Sequence, residues 1–111
     1  MNNLIQKIVE WGISKGILQE VQYGLAGSTH AQLKKLAEET IETTEAYTTY
    51  RHNYASVDNW IHLKEELGDI GVVWIMACST LGLHPEECLQ LAYEKIKERT
   101  GTMKNGQFVK D

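Results

Sequence analysis

Proline is nearly missing from this sequence. Pro85 is the only one in 111 residues, and no glycine- or serine-rich stretch marks a linker. With no internal repeat either, residues 1–111 read as one domain large enough for its own core. Basic blocks are lacking and the formal charge is -4. That excludes duplex nucleic acid as an expected partner, because such binding needs clustered lysine and arginine. A small anionic ligand carried by a metal ion is still compatible with it. Long apolar runs are absent: the longest, GVVWIMACSTLGL over 71–83, has 13 residues and is too short to span a bilayer. The start, MNNLIQKIVEWG, lacks a charged leader followed by an apolar run and is not a signal peptide. The expectation is a soluble, cytoplasmic protein with no membrane partner.

Several chemistries are also missing. The two cysteines, Cys78 and Cys88, form no CxxC and lie in apolar helical surroundings, as buried reduced thiols do. No GxxxxGK[ST] phosphate loop occurs, and no serine or cysteine stands in a recognisable nucleophile setting. A di-iron carboxylate bundle requires Glu-x-x-His on two helices. None of His30, His52, His62 and His84 has a glutamate three residues before it, so these histidines read as surface or capping residues.

What the chain does have is helical periodicity. Leu4, Ile5, Ile8, Val9, Trp11, Ile13 and Ile17 mark a first helix, weakened by Gly12 and Gly16. YGLAGS (23–28) reads as a loop. Thr29 with Gln32 suggests a capping box opening a second helix, with Leu33, Leu36, Ala37, Ile41, Thr44 and Tyr47 along one stripe and an end near 51–56. Asp58 is the expected N-cap of a third, whose face carries Trp60, Leu63, Leu67, Ile70, Trp74, Ala77 and Leu81. From Val72 to Ala77 it is apolar all round and should be central. Gly68 and Gly71 there suggest close approach of a neighbour or ligand. Pro85 starts a fourth helix, which Gly101 is expected to close as its C′ residue. Asn105-Gly106 signals a tight turn in the tail. The fold class is all-α: four helices with a short C-terminal hairpin or extended tail.

Two acidic clusters stand out. Glu38 and Glu39 each fall within about 60° of Glu42 on the second helix at about 100° per residue, and Glu45 follows. Glu66 and Asp69 are neighbours on the third. Either cluster alone reads most simply as a solvated face. Packed antiparallel, the two helices would turn five carboxylates towards one cleft. Their repulsion would raise several pKa values unless a hard divalent cation resolved it. Magnesium suits oxygen ligands and is commonly shared with substrate phosphates.

The ordered set Glu38-Glu39-Thr-Ile-Glu42, 23 intervening residues, then Glu66-Leu-Gly-Asp69 resembles the signature of the MazG-like all-α nucleoside triphosphate pyrophosphohydrolases. QLKKLAEE (32–39), GDIGVVWIMACSTLGLHPEECL (68–89) and KIKERTGTMKNGQFVK (95–110) are similar to the family as well. The resemblance implies magnesium-dependent hydrolysis of a nucleoside triphosphate to monophosphate and pyrophosphate, with manganese able to substitute. It implies Glu39, Glu42, Glu66 and Asp69 as metal ligands, and Glu38 as the residue that orients or deprotonates the attacking water or holds a further metal. It matches Lys95, Lys97 and Arg99 to a phosphate-binding stretch, although cations there also suit a helix C-terminus. Trp11 is a candidate for stacking on the base, though core packing would also explain it; Trp60 and Trp74 read as core. The resemblance further implies a homodimer or homotetramer that completes the four-helix bundle. Ile41 departs from the family, which often has glycine or alanine there; this bears on helix spacing. Phosphoribosyl-ATP or dUTP-type pyrophosphohydrolases of the same superfamily, and a non-catalytic helical oligomerisation module, are the alternatives.

Overall fold

The computed structural model describes residues 2–111. Four helices, α1 (Asn2–Ser14), α2 (Thr29–His52), α3 (Val57–Thr80) and α4 (Pro85–Ile96), carry the fold. Two small antiparallel hairpins accompany them: β1 (Gln19–Val21) with β2 (Gly24–Ala26), and β3 (Gly101–Lys104) with β4 (Gln107–Lys110). The all-α expectation holds, the C-terminal hairpin is the one expected, and the β1–β2 hairpin is an addition. The segment 23–28, expected as a loop, contains β2. Each strand of the first hairpin has only three residues, too few to show an alternating pattern in sequence.

α4 starts at Pro85 as expected, whereas α2 and α3 start one or two residues earlier than expected. Ser28 caps α2, its hydroxyl accepting from the Ala31 amide at 3.2 Å. Thr29 is thereby released to bond the Thr80 hydroxyl at 2.8 Å. Ser56 caps α3 by accepting from the Asn59 amide at 3.1 Å, and Asp58 sits in the first turn, where a carboxylate complements the helix dipole. Gly101 does not close α4, which ends at Ile96; it opens β3. Asn105 and Gly106 both have positive φ, 51° and 80°, as a tight two-residue hairpin turn requires.

α2 and α3 form an antiparallel pair. Thr29 meets Thr80, Thr43 meets Glu66, and Tyr50 packs on Trp60 with ring centroids 5.2 Å apart. As the position on one helix rises, its partner on the other falls. The core proper lies at the far end of α3, where Leu18, Ile75 and Met76 are buried against the apolar face of α1 and Leu25. Gly12 permits this: a Cβ there would stand 2.5 Å from the Met76 sulfur, so α1 crosses α3 closely. Gly68 and Gly71 do not serve the same end within this chain, since a Cβ at either would meet nothing within 4 Å.

The face α2 buries is not its apolar one. Glu39, Thr43 and Ala46 face inward, while Leu33, Ile41 and Tyr47 stay 53%, 62% and 49% exposed. At about 100° per residue, Ile41 lies on the side of α2 opposite the seam. The stripe expected to face the core therefore faces outward. Trp60 and Leu67 on α3 are also substantially exposed.

Met76→Ala removes the best-buried long side chain of α3, at 1% exposure. Its expected cost is about 2–5 kcal/mol, read from the midpoint of urea unfolding by circular dichroism. Leu91→Ala, at a 70% exposed site, should shift the midpoint far less.

Candidate metal centre

The seam between α2 and α3 sets the site. The Thr43 hydroxyl lies 2.7 Å from the Glu39 carbonyl, one turn back, and 3.2 Å from the Glu66 carbonyl across the seam. Its one proton is shared between the two, which ties the helices together at the level of the acidic residues. Small or short side chains at 43 and 46 let the backbones approach. Glu39 is consequently driven inward to 6% exposure, and the Glu66 side chain is 14% exposed.

Glu39, Glu42 and Glu66 each offer a carboxylate oxygen, and these oxygens lie within 4.8 Å of one another. Lys35 places its ammonium 3.1 Å from Glu39 Oε1 and 3.9 Å from Glu38. His62 Nε2 is 3.5 Å from Glu66 Oε1. The second oxygens, Glu39 Oε2 and Glu66 Oε2, are buried without a hydrogen-bond partner. Leaving a buried acceptor unpaired costs about 1–3 kcal/mol, more when it is charged. Two such atoms beside a third carboxylate fit a bound cation, and the all-oxygen donor set fits a hard one.

The electrostatics agree. The Glu42 carboxyl is held above its ordinary 4.5, first by the charge of Glu39, then by loss of solvating water, with the hydrogen bond that protonated Glu42 donates to Glu39 and the charge of Glu66 adding to it. Lys35 opposes the shift. Its own pKa is raised, chiefly by its hydrogen bond to Glu39. Lys35 and Thr43 were missed in the sequence reading. The signal for Lys35 was its (i, i+4) spacing to Glu39; nothing marked Thr43, whose role depends on the facing helix.

The remaining candidates are distributed around this centre. Asp69 lies one turn along α3 from Glu66, is exposed, and does not join the carboxylate cluster. It lines a cavity of about 320 Å³ with Lys7, Ile8, Trp11 and Val72. Trp11, 46% exposed, thus presents its ring to an open cavity and is not a core residue. Glu38 is exposed at the rim. Lys95, Lys97 and Arg99 are all exposed. Lys97 pairs with Glu94, and among the described residues no salt bridge joins any of the three to the acidic cluster. Cys78 is buried, Cys88 half-buried, and both are free thiols. Burial, with the neighbouring Cys88 adding to it, pushes the Cys78 thiol up to about 11, so it is no nucleophile.

A pair of long antiparallel helices enclosing a carboxylate cluster, on an all-α scaffold, defines a helical protein with acidic side chains grouped as metal ligands can be. Residues 28–103 match the MazG nucleotide pyrophosphohydrolase domain, and the chain belongs to that family. Among curated proteins and among solved structures, nothing matches the chain.

A carboxyl whose pKa is higher folded than unfolded destabilises the fold while ionised. The penalty is complete above the raised value and vanishes as pH falls below the ordinary one. With metal chelated, Glu42→Gln is therefore expected to melt at a higher temperature than the unmodified chain at about pH 8, with the gain closing towards about pH 4. Thermal melts across that range check this; a gain independent of pH would rule out repulsion as its source.

Proposed function

We propose that this chain hydrolyses standard or modified (deoxy)nucleoside triphosphates between the α and β phosphates, in clearing unwanted nucleotides from the cytoplasmic pool. Water adds across the Pα–O–Pβ bridge and the products are a nucleoside monophosphate and pyrophosphate. Membership of the family supports the reaction class. The observation that carries it to this groove is the pair of buried, unpartnered oxygens on Glu39 and Glu66 beside Glu42.

Glu39, Glu42 and Glu66 would hold magnesium, or manganese in its place, and Asp69 one turn on is the fourth residue assigned to this set. Bound there, the ion would neutralise charge on the phosphate oxygens and lower the pKa of coordinated water. Glu38 at the exposed rim orients or deprotonates the attacking water. Trp11 offers its ring to the base in the cavity it shares with Asp69. Lys95, Lys97 and Arg99 supply positive charge for the outer phosphates. A homodimer or homotetramer belongs to this reading, because α2 leaves Leu33, Ile41 and Tyr47 exposed and surfaces of that kind mark association sites.

Glu39→Gln is expected to lower magnesium-dependent pyrophosphate release by on the order of 100-fold or more while keeping the helical circular dichroism. It should also abolish the rise in Tm that magnesium gives the unmodified chain, since only a ligand of the folded state shifts that equilibrium. Full activity in this variant would remove the acidic groove from the mechanism. A panel of nucleoside triphosphates, assayed with and without magnesium, tests the reaction class itself.

A further inference from the structure

The two buried glutamates of the seam share a pattern: in each, one oxygen is met by a nitrogen and the other is left without a partner. Lys35 Nζ stands 3.1 Å from Glu39 Oε1, and His62 Nε2 stands 3.5 Å from Glu66 Oε1. Glu39 Oε2 and Glu66 Oε2 are buried with no hydrogen-bond partner, and among the described residues no other buried side-chain oxygen or nitrogen is in that position. In both helices the nitrogen comes from the residue four positions before the glutamate, the spacing at which helical side chains meet.

Because α2 and α3 run antiparallel, the two nitrogens come from opposite directions. Thr43 is level with Glu66, so Lys35 lies about two turns to one side of that level and His62 about one turn to the other. The carboxylates are thus braced from both ends of the groove, with Oε2 of each left unclaimed. The Lys35 and His62 side chains are 48% and 58% exposed, and ion pairs so open to water add little to folding. The glutamate side chains they meet are only 7% and 14% exposed. A glutamate is long, and burying it means fixing several torsions. A partner on one oxygen selects the other for a metal. Outer groups that orient metal ligands in this way typically change metal affinity by about 10–100-fold when removed.

We propose that Lys35 and His62 are positioning residues of the metal centre. Each holds Oε1 of the glutamate one turn on, so that Oε2 of Glu39 and Oε2 of Glu66 are the oxygens offered to the cation. His62 does this in the tautomer that carries its proton on Nε2. Neither residue touches the ion itself. The assignment rests on the metal-binding reading above and is independent of which bond the protein hydrolyses.

Paired substitutions of equal charge isolate the donor. Glutamine reaches a glutamate at this same spacing elsewhere in the chain: Gln6 donates to Glu10 at 3.2 Å and Gln90 to Glu94 at 2.8 Å. Lys35→Gln therefore keeps a donor for Glu39 that Lys35→Met lacks, and His62→Gln keeps one for Glu66 that His62→Leu lacks. Glutamine, methionine and leucine have similar helix propensities, so the metal-free Tm and circular dichroism should agree within each pair. The readout is binding of manganese(II) alone, followed by loss of the free ion's electron paramagnetic resonance signal. Each glutamine variant is expected to bind manganese about 10-fold more tightly than its apolar counterpart. Equal affinity within a pair would overturn the assignment for that residue. An unmodified chain that takes up no manganese would remove the metal centre and this proposal together. Manganese uptake without pyrophosphate release from any triphosphate would sink the hydrolytic reading alone, and the paired variants would still decide the positioning.

Discussion

The structure depends on a seam where two long helices meet through charge and hydroxyl groups in place of hydrocarbon. Thr43 binds both backbones at once, and that short link forces Glu39 out of solvent. Once Glu39 is buried, its neighbours matter. Glu42 and Glu66 are near enough to repel it, and Lys35 is the ammonium within ion-pairing distance of it. Proteins rarely bury carboxylates without a partner, because desolvating the charge is costly. A cation in the seam would offset that cost, and the all-oxygen donor set suits a hard one.

Turning the polar face of α2 inward has a consequence for the rest of the molecule. The hydrocarbon that would normally cover α3 faces outward on α2, and the fully buried core is reduced to Leu18, Ile75 and Met76 with the side chains packed around them. The hairpin at the other end of the chain shows the same imbalance, with Met103 and Phe108 both largely exposed. The carboxylate cluster and the exposed apolar surface are therefore two results of one choice of helix face.

Much of this was legible along the chain. Helices leave a 3.6-residue signature, and Pro85 marked a start and Asn105-Gly106 a turn, because each acts through its own backbone geometry. The order of the acidic residues along the two helices was equally local, and it led to the family. The capping residues were misplaced by one or two positions, since Ser28 and Thr29, or Ser56 and Asp58, are alternatives of similar intrinsic preference. Thr29 lost that competition because Thr80 was available to bond its hydroxyl.

By itself, the sequence determined the number and type of the helices and the residues of the acidic signature, because periodicity, turn chemistry and motif spacing are properties of neighbours in the chain. Only the tertiary structure decided which face of α2 turned inward, that Glu39, Glu42 and Glu66 converge while Asp69 opens on the Trp11 cavity, and that α4 leaves α3 at 99°. Those outcomes depend on how closely two helices approach and at what angle a third departs, and such distances are set by packing between residues far apart in sequence.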